Sequence, residues 1–452
     1  MAVSPARAAA YEILLRVERD HSYASELLHS AQLAKLSSPD HGLATELVMG
    51  VLRWQALLDR HLAAASSQKL ARLDDEVLAA LRLGAYQLQF LSRVPARAAI
   101  FESVEIVKAS PKRSAVPFVN AVLRKIAGEL SGKAAGAPAA GIFADIRKSS
   151  SAATLAQSSA HPKWLVERWV QHYGLEATQK ICEYDQNPPA TSIRIYDDQS
   201  LGRLAEAGVK LSPGGLLSSA RTLESGDITR TRAYQDGQVT IQDEGSQLVA
   251  LLVGHGETIL DCCAAPGGKT SLLARRNATS KIYATELHPH RARLLKDLVR
   301  ASNVRVVAAD ARQLPFSATF ERILVDVPCS GTGTLARNPE IKWRITSQDL
   351  RDLQSRQVAI LKSALARLKP GGRLVYSTCS MEHEENEAVI EAVMAESTGL
   401  SIADCRKELE NLRQSSELTV SDIDSLLSGP FLRTIPGLHP CDGFFAAILE
   451  RK

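Results

Sequence analysis

The sequence has few aromatic residues: 9 Phe, 9 Tyr and 4 Trp among 452 positions. Its cores must therefore be filled mainly by Leu, Ala, Val and Ile. The seven cysteines (182, 262, 263, 329, 379, 405 and 441) form no C-x-x-C pair and no even framework. That excludes a disulfide scaffold and fits a reduced, cytosolic setting, where a few thiols react and the rest are buried. The eleven histidines show no ligand spacing, so no metal site is expected. No apolar run is long enough to cross a bilayer. Met1 to Arg19 alternates charge with apolar residues, which suits neither a signal peptide nor an anchor. A soluble, cytoplasmic chain is expected. Neither sign of charge dominates, the net being +4, so nucleic-acid binding would need cations gathered locally. There is no internal repeat.

What is present begins with length. A chain of 452 residues suggests about two to four domains. Residues 1–135 read as all-α: Ala8, Tyr11, Ile13, Leu14 and Val17 fall at helical spacing, as do Leu43, Leu47, Val51 and Leu52. From Asp74 to Leu91, acidic residues in the first turn precede an apolar face of Val77, Leu78, Leu81, Ala85, Leu88 and Leu91. Another helical pattern spans Ala115 to Leu130. Composition then turns to Ala, Gly and Ser, and 136–160 reads as a linker. A small α/β unit follows over 161–233, with helices from Pro162 and from Leu175 to Tyr184, a stop at Asn187-Pro188-Pro189, and a strand at Thr191–Tyr196. Over 234–452, strands and helices alternate as in a doubly wound α/β sheet. Its candidate strands are Thr258–Cys262, Lys281–Glu286, Val304–Ala309, Arg322–Asp326 and Arg373–Thr378, and Phe431 to Arg451 suits a closing antiparallel hairpin.

The first of these strands runs into Ala264-Ala265-Pro266-Gly267-Gly268-Lys269-Thr270 and then a helix. Glycines allow a sharp turn and close approach to a ligand, and a helix N-terminus offers free N–H groups. Glu286 ends the next strand, where a carboxylate meets a ribose diol. Asp310 ends the third and would face the adenine side. A Walker A loop would need glycine at 263, which is Cys, and G-x-G-x-x-G is absent. With no pyrophosphate site evident, S-adenosylmethionine is the cofactor that fits best.

Two cysteines arrive at neighbouring strand tips, in Asp326-Val327-Pro328-Cys329-Ser330-Gly331-Thr332-Gly333 and Ser377-Thr378-Cys379-Ser380. Ligands of open α/β sheets sit at the carboxyl ends of the strands, so both thiols reach the cofactor crevice. A thiolate adding to carbon 6 of a cytosine would make carbon 5 able to attack a methyl sulfonium. Asp326 near the ring nitrogen would offset charge developing on the pyrimidine. Spacing does not say which cysteine attacks, nor which group removes the carbon-5 proton.

These motifs, with Asp261 to Thr270, Glu384-Glu385-Asn386 and Asp442-Gly443-Phe444-Phe445, resemble those of the nucleolar-protein/Sun family of RNA cytosine-carbon-5 methyltransferases. The first domain, including 81–88 and 118–124, is similar to the antitermination factor NusB, which points to the bacterial Sun (RsmB) subgroup, as does Asn338-Pro339-Glu340-Ile341-Lys342-Trp343. The resemblance implies a NusB-like domain, a small RNA-binding domain and a Rossmann-like class I methyltransferase domain acting on small-subunit ribosomal RNA. It implies that Cys379 is the nucleophile and that Cys329 assists release. It further implies that Cys263, Ala264, Ala265, Pro266, Gly267, Gly268 and Lys269, with Glu286, Asp310 and Asp326, line the cofactor and base sites. Glu286 stands where many relatives have Asp, which keeps the carboxylate.

Candidate RNA contacts are Lys112, Arg113, Arg124 and Lys125 in the first domain, and Arg337, Lys342 and Arg344 after the Cys329 loop. Trp343 would either stack on a base or anchor that loop. No obligate protein partner is expected. The competing expectations are a transfer RNA methyltransferase of the same chemistry and a non-catalytic RNA-binding factor.

Overall fold

The apolar spacings of the first 130 residues are realised as helices over Pro5–Arg19, Ala24–Leu28, Ser38–Ala65, Asp75–Phe90, Ala96–Ala109 and Val116–Leu130. Our computed structural model describes residues 3–30, 33–130 and 138–452. The chain divides into two units, one of Met1–Pro188 with Leu335–Arg344, the other of Pro189–Thr334 with Ile345–Lys452.

In the first, helical unit, Tyr11, Ile13, Leu14 and Val17 bury one face of their helix against Leu47, Val51, Val77, Leu81 and Ala85. Ser37 starts the long helix by accepting a bond from the Asp40 N–H at 3.2 Å, as N-caps do. The first turn of Asp75–Phe90 carries Asp75 and Glu76. The expected linker needs correcting. Residues 131–137 lie outside the described residues, but helices occupy Pro138–Lys148 and Ala152–Ser158. Ser151, read as part of a Ser-rich connection, is the N-cap of a capping box with Thr154. Ile146 is buried, and Phe143 meets the Trp54 ring edge-on at 6.3 Å. A few apolar residues on one face thus outweigh a background of small residues. The two helices expected between 162 and 184 run as Lys163–Asp185, broken at Gly174, and belong to this unit.

The second unit opens with a small antiparallel sheet of β1 (Ser192–Ile195), β2 (Lys210–Pro213), β3 (Ala220–Ser225) and β4 (Val239–Ile241), in the order β2-β3-β1-β4. Ile193, Ile195, Leu204, Val209, Ile228 and Val239 form its core. The sheet extends past the expected boundary at 233, because Val239 pairs with Ile195.

The large sheet holds β5 (Thr258–Asp261), β6 (Lys281–Glu286), β7 (Val304–Ala308), β8 (Phe320–Asp326), β9 (Leu368–Thr378), β10 (Leu400–Ala403), β11 (Leu427–Ser428), β12 (Phe431–Arg433) and β13 (Phe445–Arg451). Their order is β11-β12-β13-β9-β8-β5-β6-β7, with β10 on β13. The pairs β9/β8, β8/β5, β5/β6 and β6/β7 are parallel. The tail closes the sheet as antiparallel β12 and β13, so the sheet as a whole is mixed. Ile259, Leu260, Ile323, Leu324, Val325, Leu374 and Val375 are fully buried, the consequence of covering a parallel sheet on both faces. The strand order reverses around β5, which opens a crevice at the carboxyl ends of β5 and β8. Among the described residues no helix is long and apolar enough to cross a membrane.

Candidate active site

The crevice is built first by the turn after β5. The Ala264 N–H donates to the Thr285 carbonyl at 2.9 Å, holding the loop against β6. Gly267 has φ +118° and begins the helix Gly268–Arg276. A Cβ there would lie 2.6 Å from Val299 Cγ2 and 2.9 Å from Leu295 Cδ1, so conformation and space both require glycine. The result is a tight backbone cradle at a helix N-terminus. Asp261 beneath it is buried and accepts from the Thr270 hydroxyl at 2.7 Å. Burial pushes its carboxyl up to about 7. Glu286 ends β6, buried, with Oε1 accepting from the His288 N–H at 3.0 Å. Asp310 follows β7, and hydrogen bonds from Arg312 hold its carboxyl below the usual range. A left-handed glycine at a helix start, followed by carboxylates at two successive strand ends, suits a nucleoside-bearing cofactor.

Asp326 and Ser377 are register partners on β8 and β9, so Cys329 and Cys379 emerge side by side. Their sulfurs are 3.4 Å apart. Both thiols are half-buried, as is Cys263, while Cys182, Cys262, Cys405 and Cys441 are buried. The Cys329 thiol is pushed up by its bond to Cys379, then by burial and by the charges of Cys379, Glu385 and Asp326. The two sulfurs are close enough to share one proton, with either able to donate. Gly333 closes the loop: its N–H donates to the Cys379 carbonyl at 2.9 Å, and its own carbonyl accepts from the Gly443 N–H at 2.8 Å. A Cβ on Gly333 would lie 2.2 Å from the Gly443 oxygen.

Lys269 lies close enough to Cys379 for their charges to interact. Lys269 Nζ donates to Asp326 Oδ2 at 2.8 Å and lies 5.2 Å from the centre of the Phe444 ring. Burial works against its charge, but Asp326, Cys379 and Asp261 outweigh it, and its pKa rises above the ordinary lysine value. The other Asp326 oxygen accepts from the Ser377 hydroxyl at 2.8 Å. The structure thus gathers Cys329, Cys379, Asp326 and Lys269 at the carboxyl end of β8 and β9, beside the turn that holds Cys263 to Gly268. Sequence reasoning assigned nothing to Ser377, Phe444 or Gln357. It quoted Glu385 and Asn386 without giving them a task.

The expected RNA cations divide. Arg113, Arg124 and Lys125 are exposed, and Lys112 pairs with Asp74 at 2.9 Å. Lys342 does not face solvent: it is 1% exposed, and its Nζ donates to the Arg53 carbonyl at 2.9 Å. Arg344 donates to the carbonyls of Val17, His21 and Ser22. Trp343 Nε1 donates to the Leu52 carbonyl at 2.7 Å, so the ring anchors its segment. Arg337 lies half-buried in the same stretch. The expectation that Lys342 and Arg344 contact phosphate is therefore corrected. Both are spent on backbone carbonyls of the helical unit, to which Leu335–Arg344 belongs.

Residues 248–450 match the family model for the 16S rRNA methyltransferase RsmB/F. Residues 4–128 match the NusB family, and 161–227 the ferredoxin-like domain of RsmF/B-like methyltransferases. The chain is 34% identical over 460 residues to the probable ribosomal RNA small subunit methyltransferase B of Bacillus subtilis (strain 168), covering 98% of each. It is 33% identical over 398 residues to the ribosomal RNA small subunit methyltransferase B of Pseudomonas putida, covering 85% of this chain and 87% of that one. In fold it resembles the crystal structure of PH0851, with a TM-score of 0.79 at 23% identity over the whole of both chains.

Proposed function

Because the chain belongs to the RsmB/F family of 16S rRNA methyltransferases, we propose that it methylates carbon 5 of a cytosine in small-subunit ribosomal RNA through a covalent cysteine–cytosine intermediate. The observation that carries this reading is the pair of sulfurs 3.4 Å apart beside the Lys269–Asp326 pair. S-adenosylmethionine supplies an electrophilic methyl group when bound. The backbone of Cys263 to Gly268, with Glu286 and Asp310, would hold it.

We assign the attack to Cys379, the thiol that follows Thr378 as in the family's motif. The bond to Cys379, burial and nearby anions push the Cys329 thiol up, which suits it to carry a proton. Cys379 forms a bond to carbon 6, and the electron pair of the carbon 5–carbon 6 double bond becomes available at carbon 5. Once carbon 5 is methylated, a base in the crevice or water takes its proton, the electron pair of that bond restores the double bond, and the carbon–sulfur pair leaves with the Cys379 sulfur. The Cys329 S–H donates to the departing sulfur, which accounts for a role in release. Lys269, held in place by Asp326, offsets the negative charge that the addition places on the ring. Arg113, Arg124 and Lys125 offer phosphate contacts in the NusB-like domain.

The test is transfer of a radioactive methyl group to unmodified 16S rRNA, followed by nucleoside analysis. We expect label in 5-methylcytidine, no transfer by Cys379→Ala, and a trapped protein–RNA adduct with Cys329→Ala. Label in another nucleoside would overturn the reading, and an adduct with Cys379→Ala would reverse the roles.

A further inference from the structure

Glu385 follows the Cys379 strand in the short turn His383–Glu385, and its side chain is fully buried. Oε1 accepts from the Ser330 N–H at 2.8 Å and from Gln357 Nε2 at 2.9 Å. Oε2 accepts from the hydroxyl of Ser330 and from that of Ser380 at 2.5 Å. Ser330 is the residue after Cys329, and Ser380 the residue after Cys379. Gln357 also donates to the Pro328 carbonyl at 3.0 Å, on the other side of Cys329. One carboxylate therefore joins the two loops next to both sulfurs. The neighbouring Asn386 fastens the second loop alone, accepting from the Thr378 hydroxyl at 2.5 Å and donating to the Ser380 carbonyl at 2.9 Å.

A buried carboxylate costs several kcal/mol unless its lone pairs are filled. Burial pushes the Glu385 carboxyl up, and the bonds from Ser330, Ser380 and Gln357 oppose that rise. We propose that Glu385 is a positioning residue for methyl transfer, its carboxylate locking the Cys329 and Cys379 loops in register and biasing the shared proton toward Cys329. The bias follows from placement: Glu385 holds the residue after Cys329 through both oxygens, by the Ser330 N–H and hydroxyl, and the residue after Cys379 through one. Lys269, the cation of the site, is engaged by Asp326 instead. The inference rests on the assignment of Cys379 as nucleophile made above, but its first test does not need turnover.

That test is alkylation of the full-length protein by iodoacetamide, with each cysteine followed by mass spectrometry across pH. In the wild type Cys329 should lag behind Cys379. In Glu385→Gln the Cys329 rate should rise several-fold and its pH midpoint should fall, because a neighbouring anion is gone. Under single turnover the same variant should lose roughly ten- to a hundredfold in methyl transfer, with KM for RNA and cofactor near wild type. The double variant Ser330→Ala with Ser380→Ala keeps the carboxylate and removes two donors. It should slow transfer and move the Cys329 midpoint less than Glu385→Gln does, and it serves if that variant does not fold. Folded variants with wild-type alkylation rates, midpoints and transfer would overturn the proposal. A wild type that labels no cytosine yet shows the Glu385-dependent alkylation would count against the function alone.

Discussion

Each unit buries a lysine against an aromatic ring, and the two lysines are held in opposite ways. In the second unit, Lys269 is 13% exposed, 5.2 Å from Phe444, and meets the Asp326 carboxylate at 2.8 Å. In the helical unit, Lys342 is 1% exposed and 5.1 Å from Trp343, and its partner is a backbone carbonyl. Lys269 keeps its proton more firmly than an ordinary lysine. Burial takes Lys342 down to about 7, with Asp185 opposing only in part. A carboxylate compensates the desolvation of an ammonium, whereas a carbonyl does so incompletely. The difference separates a charge retained for chemistry from a side chain used as a fastener.

The largest effect expected from breaking this contrast is in the second unit. Lys269→Met should lower methyl transfer by about a hundredfold or more, while thermal melting shifts little, since Asp326 keeps the Ser377 hydroxyl. Melting that collapses together with activity would make Lys269 a fastener too.

Next comes Lys342→Met. The folded-state pKa lies below the unfolded value of 10.5, so the penalty of burying this group is absent above about 10.5, grows as pH falls, and is complete below about 7. The variant should therefore gain stability over wild type by about 1–4 kcal/mol near neutral pH. The gain should fade toward high pH, with methyl transfer close to wild type. Denaturant unfolding as a function of pH checks both the sign and the window. Loss of transfer without loss of stability would give Lys342 the chemical role denied to it here.

The smallest effect sharpens the contrast with cations in water. Arg124→Ala with Lys125→Ala should weaken RNA binding modestly and lower the salt slope of log Kd by about one to two. Fluorescence anisotropy over a salt series reads it directly, and an unchanged slope would remove this helix from the RNA surface.

The same lysines mark what was legible in the sequence. Strand alternation gave β5 to β9 within a few residues. The motif order placed Cys329, Cys379, Asp326 and the cradle, because each sits where a strand ends and a turn must follow. Lys342 was misjudged because it follows the Cys329 loop, where a cation reads as a phosphate contact. Whether it faces water was decided by Arg53, 289 positions away. β2, β3, β4, β10 and β11 went unseen, being short strands; β4 and β10 are defined by pairing partners distant in sequence. The Glu385 bonds were hidden for a similar reason: a motif shows that a carboxylate is present, and only the fold shows Ser330 and Gln357 converging on it.

The assignment of Leu335–Arg344 to the helical unit also bears on how the protein is made. A ribosome delivers that unit in two instalments. The first ends at Pro188 and the second begins at Leu335, on the order of ten seconds later at usual elongation rates. Until then Leu52 and Arg53 lack the donors that Trp343 and Lys342 bring, although Gln186 already reaches the Arg53 carbonyl. The last bonds of the helical unit therefore form only after residues 189–334 have been made. A gene cut after Pro188 would leave the ten residues Leu335–Arg344 on the other piece.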